Sequence, residues 1–144
     1  MIPVEVKLVE TEAEMEAALA VRIRVFVAEQ SVPAEEELDD EDATATHAIA
    51  QHDGLVIGTG RLLIRGEGIC QIGRMAVDHP WRRQGVGGQL LLFLELEARS
   101  QGMSQAMLHA QEYVKSFYAA HGYLECGEVF LEAGIPHIEM RKVI

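Results

Sequence analysis
The chain has no run of apolar residues near the ~18 needed to cross a membrane. Its first residues, Met-Ile-Pro-Val-Glu, lack the basic stretch followed by an apolar one that marks a secretory signal. Both absences set the expectation of a soluble, cytoplasmic protein with no membrane partner. Cysteine is scarce: Cys70 and Cys126 stand alone without C-x-x-C spacing, which reads as two reduced thiols, with one structural disulfide the lesser option. None of the six histidines, at 47, 52, 79, 109, 121 and 137, is followed by another four residues on, and no Asp-x-Asp-x-Asp-Gly loop occurs. No bound metal is therefore expected. Positive charge is short as well, with 12 Lys and Arg against 23 Asp and Glu and a formal charge of -11. That balance offers no basic face to a phosphate backbone, so nucleic acid is excluded as a general partner.

What is present describes one globular domain spanning residues 1–144, with 49% hydrophobic and 24% charged residues. A chain of this size buries a core large enough to fold without staples. The acidity is uneven, because seven of the eight residues from Glu35 to Asp42 are acidic. Without them the chain holds 12 basic residues against 16 acidic ones. Such a run reads first as a solvated loop or short helix.

The apolar pattern predicts a mixed α/β fold. Val4, Val6 and Leu8 alternate as in a half-buried strand. Thr11 and Glu14 form a capping box for a helix with Met15, Leu19, Ile23 and Phe26 on one face, ended by Pro33. A hairpin about His52-Asp53-Gly54 and a strand over Ile69–Val77 follow. Leu90, Leu91, Leu94 and Ala98 then mark a long helix closed by Gly102. A central strand over Ala106–Ala110, a helix over Glu112–His121 and two strands around Gly134-Ile135-Pro136 complete the order β-α-(α)-β-β-β-α-β-α-β-β.

The most informative stretch runs from Met75 through Pro80, Arg82, Arg83, Gly85, Gly87 and Gly88 to Leu91. A strand ends, a glycine-rich turn follows and a helix begins. Unpaired amides at a helix start and the macrodipole favour an anion. Glycines let it approach the backbone, and Arg82 and Arg83 add positive charge, so a diphosphate ligand is the natural inference. A Walker loop is excluded because Gln89 and Leu90 follow Gly88, and a dinucleotide fingerprint because Leu90 stands where its third glycine belongs. The alternative is a loop whose glycines serve tight strand–helix packing.

The Arg82-x-x-Gly85-x-Gly87 pattern resembles the signature of the GNAT family of N-acetyltransferases. The likeness covers nearly the whole chain and is closest to the bacterial ElaA/YjcF-like branch. It is carried also by Val25–Pro33, Gly58–Leu62, Phe117–Tyr123 and Gly134–Met140. The resemblance implies a mostly antiparallel mixed sheet, flanked by helices and splayed between its fourth and fifth strands. It implies acetyl-CoA as co-substrate and direct acetyl transfer to a primary amine, on a small molecule or a peptide, with homodimers common among similar proteins. Carried over residue by residue, backbone groups of Met75, Ala76 and Val77 would lie along the acetyl-pantetheine arm. Arg82, Arg83, Gln84, Gly85, Val86, Gly87 and Gly88 would hold the pyrophosphate, with Gln111 and Tyr118 near the thioester.

Amine acetylation needs a base for the amine and an acid for the departing thiolate. Tyr118 matches the tyrosine that protonates the thiolate in many members, and a phenol with a pKa near 10 suits a thiol of ~8.5 or above. The alternative is a half-buried aromatic with an anchored hydroxyl. His137 matches a position that serves as base in similar proteins, the alternative being a strand histidine held by a structural hydrogen bond; Glu29 competes with it as base, as does a water chain. Arg24 (or Arg22), Glu29, Arg74 and His109 are candidates for acceptor contact, the arginines having salt bridges to Glu29, Asp39 or Asp42 as the plainer reading. In this branch the acidic run lies beside the mouth of the site, where it would steer cationic amines. A catalytically idle acyl-CoA-binding module is the alternative function, though a pure binder needs neither Tyr118 nor a base.

Overall fold
In the computed structural model, which describes residues 2–144, the alternation first seen at Val4 produces strand β1 (Glu5–Leu8) at one edge of a seven-stranded sheet. The remaining strands are β2 (Thr46–His52), β3 (Leu55–Gly66), β4 (Ile69–Val77), β5 (Gln105–Gln111), β6 (Leu124–Glu132) and β7 (Ile135–Val143). They lie in the order β1-β2-β3-β4-β5-β7-β6. Every neighbouring pair is antiparallel except β4–β5, whose parallel pairing extends only from Ile69–Gln71 to Gln105–Met107. Beyond that the two strands part. This is the expected mixed sheet with its splay.

Helices α1 (Glu12–Arg22) and α3 (Val86–Ser100) cover opposite faces. Helix α2 (Ala34–Glu37) and helix α4 (Lys115–Ala120) are short. Thr11 and Glu14 form the anticipated capping box on α1. On α3, Leu90, Leu91, Leu94 and Ala98 are fully buried against Ile57, Leu62 and Ile72 of the sheet. Gly60 makes that approach possible, since a Cβ there would meet Leu94 Cδ1 and Met75 Sδ at 2.7 Å. Among the described residues no helix is long and apolar enough to cross a membrane.

The first helix differs from the continuous helix to Pro33 that its pattern predicts. After Arg22 the backbone widens into a π-helical segment, Ile23–Glu29, and the Gln30 amide bonds back to Val25 O. Ser31 then takes a left-handed φ of 61°. The deeply buried stripe is Ala18, Val21, Arg22 and Val25, whereas Met15, Leu19, Ile23 and Phe26 are half-buried at its flanks. The buried Arg22 head is drawn toward carboxylates, which a hydropathy pattern does not register. The helix expected over Glu112–His121 is likewise divided, its first turn, Glu112–Val114, being a tighter 3-10 turn before α4.

Strand β4 carries a second irregularity. Arg74 has φ of 51°, and the β3–β4 register slips between Thr59/Ala76 and Arg61/Gly73. One extra residue reverses a period-2 alternation. Before the bulge Cys70 and Ile72 face α3; after it Met75 and Val77 do, while Ala76 joins Val21 and Val25 under α1.

Candidate functional site
Where β4 and β5 diverge, a cavity of about 790 Å³ opens through the sheet. Its walls come from β4 (Gly73–Val77), from Val25, Phe26, Glu29 and Gln30 after α1, and from Tyr118 of α4. On the far side stand His109 and Gln111 of β5 and His137 of β7. Of the glycine-rich loop Arg82 lines the gap, near Tyr118 of α4, whereas Arg83 through Gly88 are not among its lining residues.

The loop leaves β4 through a 3-10 turn, His79–Trp81, then turns sharply at Arg83 (φ 63°) and Gly85 (φ 82°) to start α3. No side chain caps α3, so the first-turn amides, including those of Val86, Gly87 and Gly88, are open to an anion. Gly87 and Gly88 also face α4: a Cβ at Gly87 would stand 3.5 Å from Phe117 Cζ, and one at Gly88 3.1 Å from His121 Nε2. Gly88 is thus the tighter fit against α4, whereas Gly87 leaves room for an ordinary contact. Gln84 is half-buried and Arg83 exposed. Arg82 is placed differently from the free cation pictured at the sequence level. Its Nε donates to Val77 O at 2.8 Å, and its two terminal nitrogens each meet a Glu29 oxygen at 2.9 Å. Glu29 is therefore engaged in an ion pair at the cavity wall, with both oxygens committed to Arg82.

Tyr118 is half-buried and lines the cavity, with Phe117 edge-on at 5.0 Å between ring centroids. Burial pushes its phenol up to about 12, which keeps the hydroxyl protonated near neutrality. His137 is 6% exposed, and its Nδ1 lies 2.7 Å from Ile135 O. A carbonyl only accepts, so Nδ1 carries the proton and Nε2 keeps the lone pair.

The arginines are paired. Arg24 does not line the cavity; its guanidinium binds both oxygens of Asp78 at 2.9 and 2.8 Å, which draws it to the start of the loop. Arg74 lines the cavity but bonds Glu37 at 2.7 Å and Asp39 at 3.1 Å, with further bonds to the carbonyls of Glu36 and Glu37. Those bonds offset the cost of its left-handed backbone, of order 1 kcal/mol or more.

The same carboxylates explain the acidic run. Arg22, 1% exposed, binds Glu37 at 3.0 Å and Asp42 at 2.8 Å, and Arg61 binds Asp39 at 2.7 Å and Asp42 at 2.9 Å. Arg65 pairs with Glu41. Four of the seven acids thus clamp arginines from α1, β3 and β4, and the segment is a strap across the cavity rather than a free solvated face. Burial opposes the charge of Asp42, yet Arg22 and Arg61 hold it down at about 2. Burial pushes Glu37 up although Arg74 and Arg22 oppose it.

Sequence reasoning missed Arg61, buried in an apolar strand, and Glu132, whose carboxylate reaches His109 at 3.0 Å. The acidic run was visible as a signal for the first. Nothing in the chain's patterning marked the second.

Residues 10–144 match the family model of the acetyltransferase (GNAT) domain. The chain is 39% identical over 132 residues to the uncharacterised N-acetyltransferase YjcF of Bacillus subtilis, covering 91% of this chain and 94% of that protein. The crystal structure of an acyl-CoA N-acyltransferase from Pseudomonas aeruginosa is similar with a TM-score of 0.86 and 33% identity, covering 99% and 100% of the two chains. That of Escherichia coli ElaA is similar with a TM-score of 0.85 and 26% identity, covering 99% of each.

Proposed function
The chain belongs to the GNAT family of acetyltransferases, and from that premise we propose that it moves an acetyl group from acetyl-CoA to a primary amine, on a small molecule or peptide, by direct attack in a ternary complex. The observation that carries this reading is the cavity itself: one opening in the sheet holds a protonated phenol, Tyr118, and an imidazole, His137, whose cavity nitrogen is free to accept.

The loop fits a diphosphate, because uncapped amides at Val86, Gly87 and Gly88 follow a left-handed Gly85. Arg83 and Gln84 flank them, and Arg82 fixes the loop's position through Glu29. Met75, Ala76 and Val77 border the gap on β4 opposite Gln111, where their main-chain groups can bond an extended amide-bearing arm.

Attack requires a neutral amine. His137 Nε2 takes the ammonium proton and the amine lone pair attacks the thioester carbonyl; as the C–S bond breaks, the departing sulfur takes the Tyr118 hydroxyl proton, and the second proton that the new amide nitrogen sheds restores the phenol. His109 and Arg74 border the acceptor's side of the cavity, whereas Arg24 and Glu29 act on the protein's own ion pairs. The test is thiol release from acetyl-CoA across a panel of amines. Acceptor-dependent release is expected; binding of acetyl-CoA without release on any amine would make the protein an acyl-CoA-binding module instead.

A further inference from the structure
The sheet register gathers three residues from three strands onto the acceptor wall of the cavity. Across β5–β7, Gln111 pairs with His137 and His109 with Glu139; across β7–β6, His137 pairs with Phe130 and Ile135 with Glu132. Directly opposed residues share a face, as do residues two apart. His109, Glu132 and His137 therefore stand on one face, and all three line the cavity. Glu132 Oε1 accepts from His109 Nδ1 at 3.0 Å, and Glu132 Oε2 lies 3.7 Å from His137 Nε2. Phe130 packs against both rings, edge-on to His109 at 5.0 Å and stacked on His137 at 6.0 Å. Among the described residues no three His, Cys, Asp or Glu side chains are placed to hold a metal ion.

We propose that Glu132 is a positioning residue: a single carboxylate that holds His109 and His137 as one proton-accepting unit on the acceptor side of the cavity. This rests on reading the cavity as an acetyl-transfer site. The acceptor arrives as an ammonium. Its N–H bond breaks as an N–H bond forms at His137 Nε2, and the positive charge moves onto an imidazolium facing the Glu132 carboxylate. No other reactant is needed. The bond from His109 to one carboxylate oxygen keeps Glu132 turned into the cavity, with its other oxygen facing the arriving charge. The charges follow from the same contacts. The His109 bond holds the Glu132 carboxyl below its ordinary range, aided by His137 and by Arg74 from β4. The same bond raises His109, with Glu139 of β7 adding to the shift and Arg65 of β3 opposing it. The side chain of Glu132 is 45% exposed, so its replacement leaves the core intact.

The experiment compares Glu132→Gln, Glu132→Asp and His109→Asn with the wild type. It measures kcat and KM against pH for an amine the wild type acetylates, together with nitrogen NMR of the histidine rings in the ligand-free protein. For Glu132→Gln, kcat should fall about 10-fold or more with the KM for acetyl-CoA unchanged and the pH profile altered, and Glu132→Asp should recover part of the loss. The His137 ring resonances should move in both Glu132→Gln and His109→Asn. A Glu132→Gln enzyme with wild-type kcat and pH profile would overturn the proposal, as would His137 resonances that stay still in both variants. Should the wild type acetylate no amine in the panel, the transfer reading fails by itself. The ring resonances then still decide whether Glu132 couples the two histidines.

Discussion

At the scale of single residues, protonation follows from what each side chain touches. Tyr118 sits in a wall where burial lifts its phenol to about 12, so it keeps its proton throughout the neutral range. Tyr118→Phe removes one oxygen and leaves the ring packing against Phe117 and Tyr123 in place. We expect kcat to fall about 10- to 100-fold with the KM for acetyl-CoA changed by less than about twofold; steady-state kinetics checks both. A large rise in KM with an intact kcat would instead make the hydroxyl a binding contact. The position of Tyr118 on a helix before Gly122 was legible from the sequence. Its setting was not, because the residues that bury it include Tyr123, Gln111 and β4, brought together only by the fold.

Elements carry the site through two devices, a loop and a strap. At the loop, Gly87 has ordinary room on its packing side, where a Cβ would stand 3.5 Å from Phe117 Cζ. Gly87→Val should therefore still fold while its branched side chain obstructs the amides of the first turn. Calorimetry should show acetyl-CoA affinity reduced at least about 10-fold, some 1.4 kcal/mol. Unchanged affinity would remove the loop from the binding site. At the strap, Arg22 is buried beneath Glu37 and Asp42 with its charge fully matched. Arg22→Met keeps the length of the side chain but takes one of two arginine partners from each of Glu37 and Asp42, leaving them Arg74 and Arg61. Loss of one partner of a buried ion pair costs about 3–5 kcal/mol, and chemical denaturation should show a destabilisation of that order. Chain spacing foretold the loop, since strand, glycines and helix are consecutive. The strap was legible in part: salt bridges from Arg22 and Arg74 to Asp39 or Asp42 were the plainer reading, whereas Arg61 and Arg65 lie far along the chain from the acids they bind.

For the whole molecule, the charge of -11 conceals an internal balance that acid should disturb. Asp42 falls from its ordinary 3.8 to about 2 on folding. A carboxyl lowered by folding contributes stability above its unfolded value, and that contribution drains away as pH falls through the folded one. The loss should run from about pH 4 down to about pH 2 and amount to roughly 2 kcal/mol from Asp42. Asp39 and Glu41, also lowered by their arginines, act in the same direction. Glu37, raised by burial, opposes them by favouring the folded state where it is protonated. Thermal melting against pH should show a falling Tm across that window, with the fall shallower in Asp42→Asn; a Tm indifferent to pH between 4 and 2 would contradict the clamp. By itself the sequence determined the order of strands and helices, the glycine-rich turn into α3 and the apolar face of that helix, because period, caps and turn residues act over a few neighbouring positions. Tertiary structure alone decided the bulge at Arg74, the π-helical turn after Arg22, the recruitment of Arg61 and Arg65 to the acidic strap and the meeting of His109, Glu132 and His137. Each depends on groups from different strands reaching hydrogen-bond distance, and the acidity that first looked like a free surface charge became an ion-paired strap for the same reason.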